Sequence, residues 1–143
     1  MKLKIFITHL SGERLFPKPG EFPAEGKITV NANILGLEEK SRNRVQIPFV
    51  YVVNYTPSIA QITVKGVVTV EGDEKEIQKL IEEKNRRKTP DRRIIAAVIN
   101  AATAEAVLIS RSIGVPPPLP QIGLPPHKEI KPQSREGWAT YMV

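Results

Sequence analysis

One stretch constrains this chain more than any other. From Pro90 to Gly114 the apolar residues recur at helical spacing, and the chain then enters Val115, Pro116, Pro117, Pro118, Leu119 and Pro120. On a wheel at roughly 100° per residue, Ile94, Ile95, Val98, Ile99, Ala101, Ala102, Ala106, Leu108, Ile109 and Ile113 spread over about 180°. A helix packed on one neighbour uses about 100°. The excess predicts a second contact, with another copy of the chain. Arg93, Asn100, Thr103 and Arg111 line the opposite side, while Glu105 falls inside the apolar arc. A carboxylate placed there must be paired or lie at a seam between packed bodies. Thr89 reads as the N-cap, Pro90 as a first-turn residue, Asp91 as a charge suited to the helix dipole, and Gly114 as the stop. The prolines that follow cannot continue a helix, so they must lie extended against something.

The remainder of the composition fits one globular domain. A chain of 143 residues can bury a single core, and 41% hydrophobic with 25% charged residues excludes both a disordered and a membrane-embedded class. The absence of cysteine removes disulfides, thiolate zinc sites and cysteine nucleophiles together. No Cys, two Met and abundant Ile, Lys, Arg and Glu match a thermophile's intracellular protein. The start, residues 1–8, alternates and is too short for a signal segment. Asn100, Glu105 and Arg111 interrupt the longest apolar stretch, so no membrane span and a cytoplasmic location are expected. A net charge of +6 favours acidic partners.

Alternation marks four strands. Leu3, Ile5 and Ile7 predict a half-buried strand over 2–9, and Ile28, Val30, Ala32 and Ile34 a second over about 27–36. Between them, residues 11–26 carry Gly/Pro punctuation together with Leu15, Phe16 and Phe22, which predicts a long packed or functional loop. Residues 38–44 read as a charged turn. Val45, Ile47, Phe49, Tyr51, Val53 and Tyr55 share one face of a third strand, with Pro48 expected near its start or at an edge. Ala60, Ile62, Val64, Val68 and Val70 share a face of the fourth, over 59–71, where Gly66 marks a bulge or a close backbone approach. Ile77, Leu80 and Ile81 then form the stripe of a short amphipathic helix, 73–85. The class is α+β: a four-stranded antiparallel sheet, a short and a long C-terminal helix, and a Pro-rich extended tail.

Catalytic chemistry is missing. His9 and His127 stand alone as imidazoles, no metal-ligand spacing occurs, and no phosphate-binding glycine loop is present. The carboxylate pairs Glu38–Glu39 and Glu82–Glu83 belong to charged surface runs. The expectation is a protein that is not an enzyme and that needs no cofactor. The strongest electrostatic signal is Lys84, Arg86, Arg87, Lys88, Arg92 and Arg93, a cluster able to grip phosphates. No aromatic residue interleaves with it to stack on bases. An RNA- or ribosome-associated protein is therefore an alternative, as is a structural subunit of a hetero-complex.

Several segments taken together resemble the SecB-like chaperone family. They are Ile5 to Leu10, the Phe/Pro-rich Leu15 to Pro23, the strand Ile28 to Asn33, the strands Phe49 to Val53 and Ile62 to Val70, and Asn100 to Arg111 followed by Val115 to Pro120. The order of elements agrees over roughly residues 3–122, which suggests a basic, archaeal-type member. The resemblance implies a SecB-like domain over 1–125, a tail over 126–143, and an ATP-independent holdase that binds unfolded or partner polypeptides. The client groove would use Leu10, Leu15, Phe16, Phe22, Ile77, Leu80, Val115, Leu119 and Ile122. Subunits of such proteins pair through strand one and the long helix, so a homodimer or homotetramer is expected. The seam would fall on Leu3, Ile5, Ile7, Val98, Ala102, Glu105 and Ile109. The +6 charge departs from the acidic members that feed the secretion motor, whereas related members serve antitoxins.

Overall fold

The computed structural model describes residues 1–15 and 26–119. Alternation is converted into strands β1 (Lys2–Arg14), β2 (Lys27–Ile34), β3 (Glu38–Ser41), β4 (Arg44–Thr56) and β5 (Ala60–Glu71). Helices α1 (Glu74–Asn85) and α2 (Arg92–Ile113) follow. Every pairing is antiparallel, in the order β1-β5-β4-β2, with β3 also paired to β4. The α+β class holds, with a fifth, short strand added. β2 covers β4 only from Phe49 onward, and the backbone near Val45 and Gln46 still needs partners. Glu38 and Glu39 supply them before the chain reverses at Arg42 and Asn43. An all-polar edge strand has no hydrophobic alternation by which to be read.

β1 runs past its expected end at His9 because an extra residue, Thr8, shifts the register between Ile7 and His9. Before the bulge Leu3, Ile5 and Ile7 face the core side; after it Leu10 and Gly12 stand opposite Val64 and Ile62 on that same side. One inserted residue reverses the parity, so a strict period of two loses the strand there.

Val45, Ile47, Phe49, Tyr51, Val53 and Tyr55 of β4 interleave with Ala60, Ile62, Val64, Val68 and Val70 of β5, and all are buried. Pro48 is tolerated inside β4 for a local reason. Its carbonyl accepts from Leu35 N at 2.8 Å, so its missing N–H faces the same way, into the break between β2 and β3.

The helices are capped as their sequences dictate. Asp73 and Glu76 form a reciprocal capping box on α1, whose Ile77 and Leu80 are buried. Asp91, rather than Thr89, caps α2: its carboxylate accepts from Arg93 N at 2.8 Å and pairs with the Arg93 guanidinium at 3.3 Å. The Arg93 side chain holds the Asp91 carboxyl below its ordinary range. Gly114 closes α2 at φ 73°, a left-handed conformation. Arg14 reaches across from β1 and donates to the Ile113 and Gly114 carbonyls at 2.9 and 2.8 Å, fixing the helix exit over the sheet.

α2 buries Ile94, Val98, Ala102, Thr103, Ala106 and Ser110. A ridge in steps of four drifts around the helix, so α2 crosses the sheet obliquely. Thr103, expected on the polar side, therefore turns inward, its hydroxyl 2.8 Å from that of Tyr51. By length and composition α2 could cross a membrane, against the expectation drawn from its polar interruptions. Part of its apolar surface, Ile94, Val98, Ala102 and Ala106, is buried on the sheet.

The two core tyrosines bear on alkaline stability. Burial pushes the Tyr55 phenol well above its ordinary range, and Tyr51 nearby adds to the effect. Burial also raises Tyr51, with the Thr103 bond opposing it. Both phenols hold their protons more tightly folded than unfolded. The stability they contribute is thus complete below pH ~10, their unfolded pKa, and is lost as pH rises beyond it toward the folded values. Urea midpoints are expected to stay level from pH 7 to 9 and to fall above 10. Tyr55→Phe should flatten that fall, and an equal slope in the variant would assign the loss to other groups.

Candidate functional site

The apolar side chains left outside the core fall into three groups, set by where α2 lies. Its Thr103 side meets Tyr51 of β4, whereas Ile109 lies over Gly12 of β1. The helix thus covers β1, β5 and β4 and leaves β2 nearly bare. Val30 faces the core side opposite Val53, yet Val30 is 40% exposed while Val53 is fully buried. Ala32 on the same side is exposed as well. An uncovered apolar strip therefore runs along β2 from Ile28 to Ile34.

Each end of the strip meets further apolar surface. Near Ile28, the Tyr55 hydroxyl donates to the Pro116 carbonyl at 2.6 Å and holds the exit segment 115–119 against the sheet end. Leu15 N donates to Ile59 O at 2.8 Å, so Leu15 is held at that end too. Leu15 and Leu119 are about half exposed, as is Leu10 on β1. Near Ile34 lies a pocket of about 200 Å³ floored by Ile34, Leu35, Leu37, Ile47, Leu80 and Ile94. Glu83, Lys84, Lys88 and Asp91 stand at its rim, and Lys84 Nζ donates to Leu37 O at 3.4 Å.

The expected client residues are thus divided. Leu10, Leu15 and Leu119 are exposed, and Leu80 is buried but lines the pocket. Ile77 is corrected: it is fully buried in the core, and Val115 is buried there as well. Phe16, Phe22 and Ile122 lie outside the described residues. The strip residue Val30 and the pocket residues Leu35 and Leu37 were not among the expected client positions. Apolar residues flanking Gly36 beside a charged run were the available signal.

The expected seam is divided likewise. Val98 and Ala102 are buried beneath α2, so neither can meet a second subunit. Leu3, Ile5 and Ile7 are half-buried on β1, which forms one edge of the sheet. Ile109 is partly buried, and Glu105 is half-exposed with no ion pair among the described residues. Beside Glu105, Ala101 and the 59% exposed Leu108 turn away from the sheet. The basic residues Lys84, Arg86, Arg87, Lys88, Arg92 and Arg93 are all exposed, and Arg93 is paired to Asp91.

A solved structure shares this arrangement. It is the Mycobacterium tuberculosis Rv1957 SecB-like chaperone in complex with a ChAD peptide from the Rv1956 HigA1 antitoxin. The superposition has a TM-score of 0.57 over 88% of this chain and 92% of that one. The fold is SecB-like. At 9% identity the likeness is one of fold. No family model matches the sequence, and no curated protein does. Among the described residues, no group of three or more His, Cys, Asp or Glu could hold a metal ion. In this SecB-like frame the strip along β2 and the pocket at its end form the candidate site.

Proposed function

We propose that the protein is a cytoplasmic, ATP-independent holdase that binds non-native or partner polypeptides along the apolar strip of β2. The observation that carries the reading is Val30, 40% exposed directly across from a fully buried Val53. A strand whose inward face stays open offers apolar contact to an extended segment, and β2 spans about 26 Å at the usual rise per residue. The solved neighbour is a chaperone holding a peptide, which supports a polypeptide as the ligand. Leu15 and Leu119 extend the surface at one end and the pocket extends it at the other. Self-association uses the β1 edge together with Ala101, Glu105 and Leu108 of α2, giving a dimer or tetramer.

The test is suppression of aggregation when a chemically denatured enzyme is diluted without nucleotide. The full chain is expected to suppress scattering at near-stoichiometric ratios. Val30→Asp combined with Leu119→Asp should raise the ratio needed about tenfold, with an unfolding temperature within a few degrees of the parent. Equal suppression by the double variant would remove the strip from the function. The exposed basic stretch supports RNA contact as a second reading, read out by salt-sensitive retention on immobilised RNA.

A further inference from the structure

The pocket at the Ile34 end of the strip carries a chemical preference that the holdase reading does not contain. Its size and floor come first. A cavity of ~150 Å³ lined by aliphatic residues takes up benzene, so about 200 Å³ floored by Ile34, Leu37, Ile47, Leu80 and Ile94 accommodates one large apolar side chain. The rim comes second. Lys84 and Lys88 stand on it, exposed and outside every ion pair of the described residues. Of the two rim carboxylates, Asp91 is committed to the α2 cap and to Arg93, while Glu83 is half-buried. Beyond the rim, Arg86 and Arg87 on the α1–α2 connection and Arg92 at the start of α2 are exposed. The field at the mouth is positive, and the +6 charge of the whole chain adds to it.

We propose that this pocket selects, among polypeptide segments, those presenting one large apolar residue flanked by Asp or Glu. The anchor fills the pocket, and the flanking carboxylates meet the Lys84 and Lys88 ammonium groups; Lys88 makes no ion pair among the described residues, and Lys84 exchanges its 3.4 Å bond to the Leu37 carbonyl for a charged partner. The proposal rests on the polypeptide-binding reading and narrows it to acidic apolar segments. Basic apolar segments are turned away by the same field.

Fluorescence anisotropy with the full-length protein tests this. One dye-labelled heptapeptide has a central Phe with Asp or Glu at the flanking positions, and its counterpart has Lys there. At low salt the acidic peptide is expected to bind about tenfold more tightly, as two exposed charge pairs allow. The difference should collapse toward unity near 1 M salt, where the Debye length is ~3 Å. Lys84→Glu with Lys88→Glu should invert the preference. Gly36→Trp tests the mouth by another route: it adds a bulky ring to a residue of the pocket lining, at a position where a Cβ meets nothing within 4 Å. That variant is expected to lose acidic-peptide binding while keeping the parental unfolding temperature.

Equal affinity for the two peptides, or no response to the charge reversal, overturns the proposal. A single-stranded RNA that displaces the acidic peptide at equal charge concentration also overturns it, because no apolar anchor is then needed. If neither peptide binds but aggregation is still suppressed, the pocket inference falls and the holdase reading stands. Loss of both means that the holdase reading itself has failed.

Discussion

Gly66→Val is expected to remove about 4 kcal/mol or more of the protein's stability. Gly66 lies on the buried face of β5, opposite Ile7 on one side and Phe49 on the other. A Cβ there would sit 2.5 Å from the Phe6 carbonyl oxygen and 2.8 Å from Cζ of Phe49. The carbonyl is backbone of a neighbouring strand, and the ring is fully buried, so neither neighbour can move cheaply. Overpacking by a methylene costs about 1–3 kcal/mol. With clashes on two sides, alanine should cost about 2–3 kcal/mol and valine about 4 or more. Set against a total of about 5–15 kcal/mol, the valine loss is about a quarter or more of the margin. Urea titration followed by far-ultraviolet circular dichroism measures both variants. Gly66→Ala with Phe49→Leu should recover part of the loss by removing the ring clash while the carbonyl clash remains. A parental midpoint for Gly66→Val would show that β1 and β5 are not held as close as described.

The second large effect is on assembly. Leu108 is 59% exposed on the side of α2 turned away from the sheet, beside the half-exposed Glu105 and Ala101. Leu108→Asp removes an apolar side chain and places a second carboxylate three residues from Glu105, so like charges would oppose one another across the proposed seam. Association should weaken at least a hundredfold, the equivalent of about 2.7 kcal/mol. Light scattering behind size exclusion should then give the 15.9 kDa monomer, with the parent a multiple of that mass. The unfolding temperature of dilute monomer should not change, because the Leu108 side chain supports no core contact. A monomeric parent, or an unshifted variant, would put the seam elsewhere.

The strand faces of β4 and β5, the short helix and the length of α2 were legible because each keeps a single period along its whole length. Legibility failed where the period broke. At Thr8 one extra residue moved Leu10 and Gly12 onto the face of Ile7. At Glu38 to Ser41 an edge strand formed without any apolar residue. Thr103 was assigned to solvent because a straight wheel ignores oblique crossing, and Asp91 took the cap because its carboxylate could also hold Arg93.

The candidate site was less legible than the fold, and Ile77 and Leu80 show why. They share a stripe on one short helix, and both looked equally suited to a client. One is sealed in the core and the other lines an open pocket with Ile34, Leu37 and Ile94. Val98 and Ala102 were likewise read as seam residues, yet they are spent on the protein's own sheet. Local pattern determined which side chains must leave water, since burial free energy depends on residue type and periodicity sets the shared face. Only the packed structure decided what covers them. Where α2 crosses the sheet is a property of the whole assembly of elements, and that crossing buries Val53 while leaving Val30 open.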